Sequence, residues 1–157
     1  MIYAIVKIIH IISASILFGV GLCTAFYMLM ATISHNSEVV ALATKRVVIA
    51  DAWFTGISGV LQLVTGFWLL HLQVHSFDPL WLLWVMLLYG LAGACWLIVV
   101  YLQIQCRDLA CHALKNDAPL PPLYYRYFIM WVLLGIPAFV ALIALFYLMA
   151  NNPFVVY

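Results

Sequence analysis

His10 is a titratable, metal-ligating side chain inside a long apolar run, Ile8-Ile9-His10-Ile11-Ile12, with Lys7 one turn before it. At the depth of a lipid bilayer an ionisable group costs about 2.5–3.5 kcal/mol or more unless it is paired, ligated or facing water, so it is a functional-site hypothesis by default. A neutral imidazole is a common axial ligand of haem iron, with methionine or a second histidine completing the pair. The competing reading is a histidine that only hydrogen-bonds across helices. A second constellation joins Asp51 to Arg46, Arg107 and Arg126. Arginines near one carboxylate form either a bundle clamp or a cationic rim that binds carboxylates or propionates, with Asp51 orienting one of them. An Asp51–Arg107 bridge is the expected contact. A third set, Cys23, Met28, Met30 and His35, offers soft ligands suited to Cu(I). Cys23 and Met30 share a helical face at i and i+7, whereas Met28 points elsewhere.

The elements that hold these groups follow from composition. The chain has 157 residues, 69% hydrophobic and 7% charged, against about 25% charged in soluble domains. A soluble fold of this size cannot hide so much apolar surface, so an integral membrane domain spanning 1–157 is expected. The net charge of +1 comes without any basic run, which excludes nucleic acid as a partner. Cys23, Cys95, Cys106 and Cys111 form no CxxC motif and read as free thiols. The first apolar run is too long for a signal peptide and is expected to be a retained span. Ser13 and Ser15 have no partners for a hydrolytic triad.

A bilayer core of about 30 Å takes roughly 20 apolar residues per helix. Spans are expected at about 2–33, 47–72, 79–105 and 127–150. Lys45, Arg46, Arg107, Lys115 and Arg126 fall in or near the first and third connections, while the second connection has neither Lys nor Arg. The positive-inside rule then places both termini on the periplasmic side. Ser37 with Glu38 reads as an N-cap and acidic first turn, so the second helix starts before the membrane. Asp78-Pro79 reads as a cap followed by proline at the first helical position. The third helix is expected to overrun toward Lys115, where Asn116 and the prolines that follow stop it. Pro137 predicts a kink in the fourth span. Trp81 and Trp84 suit one interface, and Tyr124, Tyr125 and Tyr127 the other. Gly19, Gly21, Gly56, Gly59, Gly90 and Gly93 suit close helix packing.

A rise of about 1.5 Å per residue places Gln62, Thr65, Met86 and Tyr89 near the depth of His10. His71 is shallower, His75 lies in a loop, and His35 and His112 lie at the opposite end. The histidine count therefore argues against a two-haem cytochrome. One haem with His10 and Met86, Tyr89, His71, a second protomer's residue or an open position remains, as does a plain hydrogen-bonded histidine.

Several segments resemble a bacterial family of predicted four-helix integral membrane proteins of unknown function. They are Lys7-Ile8-Ile9-His10, the stretch from Arg46 to Trp53, Gly93-Ala94-Cys95-Trp96, Gln103 to Leu109, Pro121 to Arg126, and Gly135 to Phe139. More distantly, Lys7-Ile8-Ile9-His10-Ile11-Ile12 with Gly19 and Gly21 resembles the opening helix of HemJ-type protoporphyrinogen oxidases and of CopD-like membrane domains. That resemblance implies that His10 is a haem-linked histidine. A Leu-Pro-Arg segment follows helix one in HemJ-type chains; here the region reads Tyr27-Met28-Leu29-Met30-Ala31.

The expectation is thus an all-α, polytopic four-helix bundle of the bacterial inner membrane. Its leading functional reading is a haem b- or porphyrin-binding protein with a HemJ-like oxidoreductase role. His10 ligates iron or handles protons there, with Gln62, Met86 and Tyr89 in the same layer. Arg46, Arg107, Arg126 and Asp51 form the cationic rim. The alternatives are a non-catalytic accessory or assembly subunit and a copper-handling protein. The expected partners are the lipid bilayer and a homodimer or larger membrane complex.

Overall fold

The computed structural model describes residues 1–72 and 78–151. Helix α1 (Ile2–Ile33) is followed by α2 (Ser37–Ala50), which runs through a π-turn (Asp51–Thr55) into α3 (Gly56–Leu72). Helices α4 (Pro79–Lys115) and α5 (Pro122–Ala150) complete the chain. Because α2, the π-turn and α3 form one rod, four helical rods are long and apolar enough to cross a membrane. No strand occurs among the described residues. Lipid offers no hydrogen bonds, so a spanning segment must satisfy its backbone internally, and helices do so. The expected second-loop residue His75 and the tail beyond Asn151 lie outside the described residues.

The chain punctuates its helices with polar side chains. Asp78 caps α4 by accepting the Leu80 N–H at 3.0 Å, with Pro79 next in line. Helix α2 is capped by Asn36, not by the expected Ser37: the Asn36 side chain accepts from Glu38 and Val39 N–H at 2.9 and 3.3 Å. The Ser37 hydroxyl is drawn away to the Ala118 carbonyl at 3.1 Å, tying two connections together. His35 and Asp117 leave α1 and α4 with positive φ of 52° and 49°, a left-handed conformation that ends a helix. Helix α5 starts at Pro122, earlier than the expected Tyr127, and continues as helix through Pro137.

The rods pack unevenly. The main contacts join α4 to α5, α1 to α3 and α2 to α4, whereas α1 meets α5 lightly. Phe18 makes edge contacts with Phe139 and Phe146 at 5.3 and 5.6 Å. The densest core sits toward the basic end, near the α1–α2 and α4–α5 connections. There Met28, Val40, Val47, Cys106 and Tyr124 are fully enclosed. Tyr124 is therefore a core residue, not the expected interfacial anchor, and its hydroxyl shares a hydrogen bond of 2.8 Å with Thr32. Toward the opposite, terminal end, α3 and α4 stand apart and the bundle holds a cavity. The outer surface carries Ile8, Leu22, Phe26, Leu97 and Ile143, an apolar exterior suited to lipid as solvent.

Candidate functional site

The terminal-half cavity has a volume of about 430 Å³ and is walled by α1, α3, α4 and α5. Ligand sites typically span about 300–1,000 Å³ and combine apolar walls with a few placed polar groups. Tyr3, Lys7, His10, Ala14 and Leu17 form the α1 stripe, at helical spacing. Gln62, Met86 and Tyr89 reach the same cavity from α3 and α4. Of the five side chains expected at one depth, His10, Gln62, Met86 and Tyr89 thus line one space, and Thr65 stands behind His10.

His10 is held from α3. Its Nδ1 lies 2.7 Å from the Thr65 hydroxyl oxygen. That hydroxyl directs its own proton to the Leu61 carbonyl at 2.5 Å. A hydroxyl carries one proton, so Thr65 accepts from His10, and Nδ1 carries the ring proton. The neutral tautomer is thereby assigned by the hydrogen-bond network, leaving Nε2 with a free lone pair. Among the described residues no group hydrogen-bonds Nε2. Gln62 fixes the backbone beneath: its Nε2 donates to the His10 carbonyl and to Ser13 Oγ, each at 2.6 Å. Ser13 also donates to the His10 carbonyl at 3.0 Å. Gln62 and Thr65 are thus an i, i+3 pair on α3 that grips His10 and Ser13, an i, i+3 pair on α1.

Gly66 faces the imidazole: a Cβ there would lie 3.5 Å from His10 Cε1, in ordinary contact. Thr65 is expected at this depth but without a role, and Ser13 and Gly66 are not expected at the site; their signal is only helical spacing from Gln62 and His10. By contrast, a methyl group at Gly19, Gly90 or Gly93 would meet nothing within 4 Å, so these glycines mediate no close helix approach among the described residues. Tyr89 directs its proton to the Gly59 carbonyl at 2.7 Å, tying α4 to α3. Trp81 donates from Nε1 to the Leu148 carbonyl at 3.1 Å, tying α4 to α5 at the cavity wall. His71 does not line the cavity.

The donor set suits an iron-bound or porphyrin ligand in part. His10 supplies a tautomer-fixed imidazole, of the kind whose second nitrogen is pinned by a hydrogen bond in metal sites. Met86 supplies a thioether on the same cavity. For carboxylate substituents the cavity offers Lys7, whose Nζ sits 5.9 Å from the centroid of the Tyr3 ring. Arg46, Arg107 and Arg126 do not line it, so the expected cationic rim does not serve this space.

The Asp51 expectation also needs correction. Among the described residues the one ion pair joins Arg107 to its neighbour Asp108, at 2.8 Å and largely exposed. Asp51 is 4% exposed and is held by neutral donors. Oδ1 accepts from Thr55 at 2.9 Å and from Thr24 at 3.4 Å, and Oδ2 accepts from Gln103 Nε2 at 2.5 Å. Arg107, one turn beyond Gln103 on α4, turns to its exposed neighbour Asp108, while Asp51 is buried in the bundle, where Gln103, Thr24 and Thr55 reach it. Asp51 therefore orients no arginine.

The copper set disperses as well. Met28 is fully buried, Met30 is 43% exposed, and Cys23 and His35 are exposed. All four cysteines are free. No group of three or more His, Cys, Asp or Glu side chains arranged for a metal occurs among the described residues.

Neither the curated proteins nor the solved structures include a significant match to this chain. The model of a family described as predicted integral membrane proteins, DUF2269, matches residues 4–153, and with nearly its whole length covered the chain belongs to that family.

Proposed function

We propose that the protein is a bacterial inner-membrane protein that binds haem b or a related porphyrin in its terminal-half cavity, with His10 Nε2 as the ligand to iron. The observation that carries this reading is the lone pair of a tautomer-fixed imidazole at an apolar intramembrane cavity. The Thr65 bond by itself equally suits a histidine that only ties two helices together; what favours a ligand role is that the imidazole lines the cavity and its Nε2 has no hydrogen-bond partner among the described residues. Met86 would be the second side chain to hold the iron, and Lys7 with Tyr3 would hold the porphyrin carboxylates, since all three line the cavity. Bound there, haem would supply one-electron chemistry, and the resemblance to HemJ-type proteins suggests a redox role on a porphyrin-related substrate. What the chain contributes is orientation by Thr65 and Gln62, exclusion of water by the aliphatic walls, and a fixed proton at Nδ1.

The test is the visible spectrum of detergent-purified protein before and after haem supplementation. A Soret band that His10→Ala abolishes or shifts is expected. Absence of any Soret band after supplementation would sink the haem reading. An unchanged band in His10→Ala would remove His10 as ligand.

A further inference from the structure

The Asp51 pocket presents two deficits that share one remedy. A carboxylate, 4% exposed at membrane depth, has no cationic side chain in ion-pair contact among the described residues. Beside it, Gln103 is 1% exposed, and its Oε1 is a buried acceptor with no hydrogen-bond partner. The amide of Gln103 touches Asp51 through Nε2, so the orphan carbonyl belongs to the same pocket. Thr24 and Thr55 bring hydroxyl oxygens to Asp51 Oδ1. Thr24 has one proton for two acceptors, Asp51 Oδ1 and the Gly21 carbonyl at 3.1 Å. The pocket is thus rich in oxygen lone pairs and short of positive charge.

We propose that Asp51, Gln103, Thr24 and Thr55 form a binding site for one alkali cation, separate from the His10 cavity. Carboxylate, carbonyl and hydroxyl oxygens are the ligands that hard cations prefer. One carboxylate balances one charge, so a monovalent ion leaves the pocket neutral, whereas a divalent ion would leave a buried positive charge. A proton on Asp51 is the competing way to cancel the charge, and the experiment separates it from a cation. A cation answers both needs. The four ligands come from α1, the π-turn and α4, so occupancy ties three segments together. Asp51 and Thr55 open and close the π-turn, a feature that frequently marks functional positions within helices.

The experiment uses the full-length chain in detergent, with NaCl or KCl exchanged for choline chloride at constant ionic strength. Trp96 reports locally, since its ring lies 3.7 Å from a Cβ position at Gly56, the residue after the π-turn. Saturable binding of radiolabelled ²²Na⁺, displaced by unlabelled NaCl and not by choline, is expected, along with a rise in the thermal midpoint and a change in tryptophan emission on adding salt. Asp51→Asn should weaken binding at least tenfold, and Thr24→Val should weaken it while keeping native helicity, which covers the case of a misfolded Asp51 variant. Wild-type protein that is folded but indifferent to both Na⁺ and K⁺ would overturn the proposal. So would protein stabilised by acid alone, which assigns the charge balance to a proton, or a folded Asp51→Asn protein with undiminished ²²Na⁺ binding.

Discussion

The Thr65 hydroxyl accepts the Nδ1 proton of His10 across 2.7 Å because its own proton is committed to the Leu61 carbonyl one turn back on α3. Interhelical hydrogen bonds in membranes contribute about 0.6 kcal/mol on average and up to about 1.7. Thr65→Val should therefore destabilise the protein by about 1 kcal/mol, read from unfolding in mixed micelles. Its sharper effect is on the imidazole: ¹⁵N NMR of labelled histidine should change from one tautomer to a mixture. If haem is bound, affinity should fall about tenfold, as for other residues that orient a metal-ligating histidine. A single unchanged tautomer in Thr65→Val would refute this assignment.

Gly66 sets the clearance for the His10 ring. A methyl group there meets Cε1 at 3.5 Å, an ordinary contact, so Gly66→Ala should be tolerated and should gain about 0.5–1 kcal/mol of helix propensity. Gly66→Leu should instead push the ring from Thr65 and abolish ligand binding while the helical content by circular dichroism stays native. Equal ligand affinity in the two variants would contradict the packing described.

Tyr89 is a candidate axial ligand by its depth in the sequence, but its proton is engaged by Gly59 at 2.7 Å. Tyr89→Phe should lower stability by about 0.6–1.7 kcal/mol through the lost α3–α4 link and leave any Soret maximum within a few nanometres of wild type. A large spectral shift would return Tyr89 to the ligand role.

Arg107 and Asp51 should behave as strangers. Arg107→Ala removes an exposed pair with Asp108 and should change stability by no more than about 0.5 kcal/mol. Asp51→Leu strips three donors of their acceptor in a buried pocket and should cost about 1–3 kcal/mol. A double-mutant cycle should return a coupling energy near zero.

Most of the fold is legible in the chain because apolar run length is a strong signal in lipid. The bounds of α1, the Asp78 cap and the overrun of α4 to Lys115 follow from hydropathy, proline and cap chemistry. The depth shared by His10, Gln62, Met86 and Tyr89 follows from helical rise alone. Facing direction does not, so nothing in the sequence singles out Ser13 or Gly66. Asp51 misleads because charge suggests a charged partner, whereas three neutral donors converge on it from different segments. Tyr124 misleads because tyrosine suits membrane surfaces, yet Thr32 gives its hydroxyl a partner inside the core. Nothing in Asp51-Ala52-Trp53-Phe54-Thr55 marks a π-turn, because none of these residue types specifies the i to i+5 spacing.

That π-turn places one surplus residue in the rod at the Asp51 site itself, two turns before Gln62. Each residue of an α-helix advances the azimuth by about 100°. Removing one residue between Asp51 and Thr55 would let the rod run as a regular α-helix with Gln62, Thr65 and Gly66 still facing α1, whereas a one-residue deletion between Gly56 and Leu61 would swing all three away by about 100°. The rod is thus elastic at the π-turn, where losing a residue disturbs only the Asp51 contacts, and rigid in phase between Gly56 and Gln62, where a lost residue needs a compensating insertion.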